Sequence, residues 1–384
     1  MAEKARKCGR GGWSTRVIAP PLQPAHGARP PHLPALTGIR GLAAWFVVFY
    51  HARVALTDWL PAGTVAVFAK GYLAVDLFFM LSGFVMWLNY GPRLRTSGLA
   101  GARDFWWRRF ARIWPLHIAV LGAVVAFALV LLATGRDTSG YPFAELPLHV
   151  LLVQNWGFTS ELTWNHPAWS ISAEAGAYIL FPFMVVAVRW EALRPVALIA
   201  CIGAVALALH ALFRAFGAEL IGEEITRLGL WRCIAQFAIG MMLANLWSQW
   251  RGGAWWPSLT GAALLGVWLW SGRGETLLVP LGFAALLLAL ALARGPVAKL
   301  LGSRPLEWLG DISYATYLIH FPLFILAKIA LAGEDVQVSP LGFAVYALVL
   351  LALSHAAFHW LEKPAQRALN RHAPGRRQSA VPAE

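Results

Sequence analysis

Charge is scarce in this chain. Asp, Glu, Lys and Arg make up 13% of its 384 residues, whereas a soluble globular domain carries about 25%. Acidic residues are the scarcer kind, 19 against 32 basic ones, for a net charge of +13. The soluble, multi-domain protein that length alone suggests is excluded. Cysteine is nearly absent: Cys8, Cys201 and Cys233 form no CxxC or Cys/His spacing. That excludes a disulfide framework and a zinc centre, and no metal site is expected. The first 30 residues are basic and rich in Pro and Gly, without the apolar stretch or small-residue cleavage site of a signal peptide. Residues 1–32 are expected to be a disordered basic cytoplasmic tail, and 366–384 a second, short basic one.

What the chain has in abundance is apolar sequence: 58% of residues, with a mean hydropathy of +0.57. It falls in blocks of about 20 residues, the length that crosses a bilayer as a helix. Ten such spans are predicted, at 38–56, 72–90, 113–133, 170–188, 195–213, 230–248, 254–271, 275–293, 313–332 and 340–361. The segment 145–158 is too short, and too broken by Pro147, to cross; it is expected at the interface. The fold class is all-α, a polytopic transmembrane helix bundle. With the N-terminus inside, twenty-three Lys and Arg lie on the cytoplasmic side, five lie outside and four lie within spans. That asymmetry places both termini in the cytoplasm. It also accounts for the net positive charge, so no nucleic-acid partner is expected.

A charge in mid-membrane costs about 2.5–3.5 kcal/mol on insertion scales, so each one present needs a reason. Arg40 and His51 lie eleven residues apart in the first span. Eleven steps of a helix come within about 20° of three full turns and rise about 16.5 Å, so both side chains lie on one face. Asp76 in the second span and Glu174 in the fourth are expected at a depth comparable with His51. A carboxylate beside a histidine orients the ring and raises its basicity, as a general base requires. A structural ion pair or helix-bridging hydrogen bond is the alternative for either acid. The run Arg108-Arg109-Phe110-Ala111-Arg112 at the mouth of the third span can clamp the phosphates of a nucleotide-like ligand, or simply anchor the helix on anionic lipid. His320 is a further intramembrane histidine, expected to pack against a neighbour. Trp156, Trp164 and Trp169 in or near an outer loop serve either as interface anchors or as stacking faces for a sugar.

These residues recur in a known pattern. Arg40 and His51 match an Arg-x10-His signature; Gly71 to Phe84 contains Val-Asp-Leu-Phe-Phe and Leu-Ser-Gly-Phe; Arg108 to Pro115 reads Arg-Arg-x-x-Arg-Ile-x-Pro. Trp169 to Glu174 reads Trp-Ser-Ile-Ser-x-Glu, Tyr317 to Pro322 reads Tyr-Leu-x-His-x-Pro, and Glu362 to Pro364 closes the set. In this order the blocks resemble those of the acyltransferase-3 family, bacterial integral-membrane O-acyltransferases, over residues 33 to 367. The chain departs from that pattern at His117, where Tyr is common, and at Ala175-Gly176, where Glu-Gln is common.

The resemblance implies transfer of an acyl group, usually acetyl from acetyl-CoA, to a hydroxyl presented at or across the bacterial cytoplasmic membrane. It implies a membrane acyltransferase domain at 33–365, acyl-CoA as co-substrate and no tightly bound cofactor. Acceptors would be a surface glycan, a lipid-linked sugar or a metabolite. His51 would be the base, with Asp76 and Glu174 as its catalytic carboxylates, while Arg40, Arg108, Arg109 and Arg112 would hold the donor. Ser82, Ser172 and His320, inside the matching blocks, would support these groups. The competing function is a proton-coupled transporter using the same His, Asp and Glu as a relay. It calls for inverted repeats, which the sequence does not display.

Overall fold

The computed structural model describes residues 32–331 and 337–374, and among these it is all-α, with no β-strand. The expected N-terminal tail lies almost wholly outside the described residues. Ten helices have seventeen residues or more: α1 (Pro34–Ala52), α2 (Ala74–Ser97), α3 (Ala102–Ala133), α4 (Ala168–Ala187), α5 (Pro195–Ala215), α6 (Ile225–Gln249), α7 (Trp255–Ser271), α8 (Glu275–Leu292), α9 (Ser313–Leu331) and α10 (Pro340–Ala356). Eight stretches are long and apolar enough to cross a bilayer, and one of them, the 72-residue run Ala62–Ala133, contains both α2 and α3. The expected span 254–271 is not among the eight: α7 has only 17 residues, about 25 Å at 1.5 Å per residue, against a hydrocarbon core of about 30 Å. Outward-facing positions are apolar, with Trp270, Leu269, Leu132 and Leu348 all exposed. In water such a surface would be unstable; against lipid it is the stable choice.

Without water to squeeze out, helices in lipid associate through close packing, and small residues make the closest approach. The α2–α6 crossing shows this. A Cβ on Gly83 would run into the Phe237 backbone, and one on Gly240 into the Met80 backbone, so each helix is notched where the other crosses it. Around that contact Phe79, Met80, Phe84, Phe237 and Met241 are fully buried.

The segment 145–158 does not cross. It forms a short helix, Leu146–Leu151, ended by Leu152 in the left-handed region. It is tied to α3, where Trp114 Nε1 donates to the Val150 carbonyl at 3.0 Å and His117 Nε2 meets the His149 carbonyl oxygen at 2.8 Å, while Leu151 and Phe158 remain exposed. Beyond α10 the helix widens into a π-turn, Ala357–Glu362, and resumes as Lys363–Asn370. The expected C-terminal tail thus begins as helix, pinned to α3 by Trp107 Nε1 donating to the Leu369 carbonyl at 2.9 Å. The π-turn shifts register by about one residue, and here it ends with the Glu362 carboxylate buried against Arg112.

Candidate active site

A cavity of about 640 Å³ is enclosed by α1, α2, α3, α4 and α9. It runs from the exposed His32 and Asn89 at one end to the buried Ser170 and Tyr317 at the other. The predicted motifs contribute Arg40 from α1, Ser82 from α2, Arg109 and Arg112 from α3, and Glu174 from α4 to its polar lining, beside Tyr90, Tyr178 and Tyr314.

Each arginine is fixed differently. Arg40 Nε and Nη2 both donate to the Gly310 carbonyl oxygen, at 3.1 and 2.9 Å. Gly310 can come this close because a Cβ there would strike the backbone of Thr37. Arg109 donates to the Tyr90 hydroxyl at 2.8 Å, with its guanidinium over the Tyr90 ring at 5.0 Å, and its buried Nε has no partner. Arg112 is ion-paired with Glu362 and lies over the Tyr314 ring at 5.2 Å. Arg108 does not join them. It bonds Asp104, one turn back on α3, at 2.9 Å and is not part of the cavity wall. Of the three α3 arginines expected to hold the donor, Arg109 and Arg112 line the cavity and Arg108 does not.

Glu174 lines this cavity, not the surroundings of His51. It accepts from the Tyr178 hydroxyl at 2.7 Å, and Tyr178 lies 3.1 Å from the Ser82 hydroxyl. Since the Tyr178 hydrogen goes to the carboxylate, Ser82 donates to Tyr178, which orders the wall as Ser82, Tyr178, Glu174. Ser172 is buried away from the cavity and accepts from the Asn155 backbone N–H at 3.1 Å, tying the inter-helix segment to α4.

His51 lies beyond the buried end of the cavity and is not part of its wall, so the cavity takes up only the Arg40 part of the common face of α1, and His51 sits in a cluster of aromatic and histidine rings. Between cavity and cluster stands Tyr317. It bonds Ser170 at 2.8 Å, meets the Phe78 ring edge-on at 5.9 Å, and its own ring is 5.8 Å from that of His320. His51 Nδ1 is 3.1 Å from the Val47 carbonyl oxygen and 3.1 Å from His320 Nε2. Phe321 meets the His51 ring at 5.2 Å and carries the His166 ring stacked at 4.8 Å. His166, just ahead of α4, is held below the ordinary imidazole pKa by burial.

Asp76 is the main correction. It is fully buried between α2 and α6, where Arg232 bonds both of its oxygens, Nε at 2.9 Å and Nη2 at 2.6 Å, and Gln236 donates at 3.0 Å. The structure pairs it with an arginine and not with His51, the outcome held open as the alternative. No carboxylate bonds His51 among the described residues, and the His–Asp–Glu relay that a transporter would use is not assembled. Arg232 and Gln236 stand one helical turn apart on α6, a polar pair within a span whose spacing puts both on the face toward Asp76. Trp164 and Trp169 are buried, which removes them as stacking faces for a sugar; the Trp169 ring instead lies 5.4 Å from the Arg232 guanidinium.

Arg40, Arg109, Arg112 and Glu174 on the cavity wall and the His51–His320 pair thus all come from the recurring blocks, and a profile described as an acyltransferase domain matches residues 33–359. The chain belongs to the acyltransferase-3 family. It is 31% identical over 382 residues to acyltransferase MdmB of Streptomyces mycarofaciens, covering 89% of this chain and 94% of that one. It is 24% identical to the putative peptidoglycan O-acetyltransferase YrhL of Bacillus subtilis and 22% identical to the O-acetyltransferase OatA of Staphylococcus aureus. Those matches cover 87% and 88% of this chain but only 55% and 58% of the relatives' lengths. No solved structure matches the chain. The enzyme is a membrane acyltransferase. Its arginine-lined cavity and its histidine cluster both fall inside the matched region.

Proposed function

We propose that the enzyme takes an acyl group, acetyl in the simplest case, from acyl-CoA and passes it to a hydroxyl of a cell-surface carbohydrate, a glycolipid or a secreted metabolite. One observation carries this reading: Arg40 and Arg109 face the 640 Å³ cavity, and neither has an ion-pair partner among the described residues. With Arg112 paired to Glu362, Arg40 and Arg109 outnumber Glu174, the one carboxylate among the lining residues, and an anionic ligand in the cavity balances the remaining positive charge. The CoA phosphates would sit on Arg109 and Arg112 at the exposed end, with the pantetheine arm running along α1 past Arg40. The thioester would then reach His51 beside Tyr317. The acceptor oxygen attacks the thioester carbonyl carbon, His51 takes the hydroxyl proton, and the carbon–sulfur bond breaks. The proton then goes to the departing CoA sulfur. The names of YrhL and OatA support oxygen as the acceptor atom.

Arg109→Ala is the cleanest test of the donor site, because its partner is a neutral phenol; Arg112→Ala would also leave Glu362 buried and unpaired. Loss of a charge-assisted contact costs about 1.5–3 kcal/mol, so acetyl-CoA affinity of the purified variant should fall tenfold or more. Unchanged affinity in a well-folded Arg109→Ala protein would mean that the arginines only anchor the helix.

The same reading places the exposed end of the cavity, with both termini, on the cytoplasmic side of the bacterial inner membrane, where acyl-CoA is made. The loop 134–167 is then outside. A cysteine at Thr138 should react with a membrane-impermeant maleimide in intact cells; reaction only after permeabilisation would invert the topology.

A further inference from the structure

His320 is fully buried, and its backbone is held by α10, where the Tyr346 hydroxyl donates to the His320 carbonyl at 3.1 Å. Its ring nitrogens can be assigned from their partners. Nδ1 lies 2.6 Å from the Tyr317 carbonyl oxygen. A carbonyl only accepts, so Nδ1 bears the hydrogen, and in a neutral ring Nε2 is then a bare lone pair. That lone pair is 3.1 Å from His51 Nδ1, which also lies 3.1 Å from the Val47 carbonyl oxygen. Both neighbours of His51 Nδ1 accept, so His51 carries its hydrogen on Nδ1 and its lone pair on Nε2. We propose that His320 is a positioning residue for acyl transfer, a neutral acceptor that fixes His51 with Nε2 bare and holds the Nδ1–H once Nε2 is protonated. This rests on the reading of His51 as the base.

The roles divide as follows. The acceptor hydroxyl gives its proton to His51 Nε2 as its oxygen bonds the acyl carbon. The imidazolium so formed donates through Nδ1 to His320 Nε2 and Val47 O. Nε2 then returns the proton to the CoA sulfur as the carbon–sulfur bond breaks. His320 does not carry the transferred proton, because that proton sits on His51 Nε2, whereas His320 meets His51 at Nδ1. A buried carboxylate in its place would hold the imidazolium as an ion pair and slow the return of the proton. A neutral ring orients His51 without that trap.

Two amides separate the two nitrogens of His320. His320→Asn can keep the donor to Tyr317 O but lacks the acceptor at the Nε2 position; His320→Gln places an amide oxygen near Nε2. Hydrogen bonds to a charged group support a tenfold to about hundredfold effect. His320→Asn should lower kcat by that factor, with the KM for acetyl-CoA unchanged, and His320→Gln should recover most of the loss. The titratable or charged groups around His51 are Arg53 and Tyr50 on its own side, His320 on α9 and His166 ahead of α4. Losing an acceptor destabilises the imidazolium, so the acidic limb of the kcat/KM profile should move to lower pH in His320→Asn. His320→Glu should move that limb upward, by about one to three pH units, as an opposite charge near an imidazolium does.

A role limited to filling space or bonding Tyr317 would favour Asn over Gln and leave the limb in place. That pattern, or wild-type kcat in His320→Asn, overturns the proposal. If His320→Asn does not bind acetyl-CoA and so is misfolded, the Glu variant decides, and an unmoved limb overturns it. His51→Ala measured alongside separates the two readings. An active His51→Ala enzyme defeats the base itself, whereas an inactive one with the wrong His320 pattern defeats only the positioning role.

Discussion

His51→Ala should lower turnover by about 10²–10⁴-fold, the contribution of a general base, while acetyl-CoA binding stays within a few-fold of wild type. Binding should survive because His51 is not part of the cavity wall that carries the arginines. The split between binding and turnover is the diagnostic. A residue that merely packed α1 against α9 would, on truncation, loosen the cavity that these two helices line and weaken donor binding too. His51→Gln keeps volume and a hydrogen bond but cannot take up a proton, so it should remain inactive. Arg40→Ala should behave differently. It removes the guanidinium held on Gly310, and should raise the acetyl-CoA requirement as well as slow transfer. Both quantities are measured on purified protein in detergent, donor binding by calorimetry and transfer by release of free CoA thiol. An active His51→Gln enzyme would exclude His51 as the base.

Arg232→Ala should destabilise the fold by about 3–5 kcal/mol, because it leaves Asp76 buried and uncompensated at the α2–α6 crossing. Asp76→Ala should do comparable damage from the other side. Removing both charges together, as Asp76→Leu with Arg232→Met, should restore most of the stability, since a well-packed apolar pair costs no desolvation. Thermal unfolding in detergent would report all three. If the double variant recovers stability and acyl transfer together, Asp76 acts by holding two helices in register. Recovery of stability with no recovery of transfer would return Asp76 to the chemistry. The structure favours the first outcome, because both carboxylate oxygens are occupied by Arg232.

Some of this enzyme was readable from one dimension. Helices were readable because a bilayer imposes a length of about 20 apolar residues on anything that crosses it. The alignment of Arg40 with His51 was readable because a helix repeats at 3.6 residues per turn. The need for a partner at Asp76 was readable because a charge in lipid has a known cost.

Which partner each group found was decided by helix packing. Asp76 meets Arg232 across 156 residues of chain, and His51 meets His320 across 269. Depth along the membrane normal, which spans supply, places several candidates at one level; azimuth, which only packing supplies, selects among them. Glu174 and Asp76 both had a suitable depth for His51, yet α4 turns Glu174 into the arginine-lined cavity, and the glycine-notched crossing of α2 with α6 brings Asp76 onto Arg232. The sequence by itself determined that these polar groups lie in the membrane and on which helices. The tertiary structure alone decided that a histidine, not a carboxylate, stands behind His51, because contacts between distant helices depend on rotation about their axes, which no local periodicity encodes.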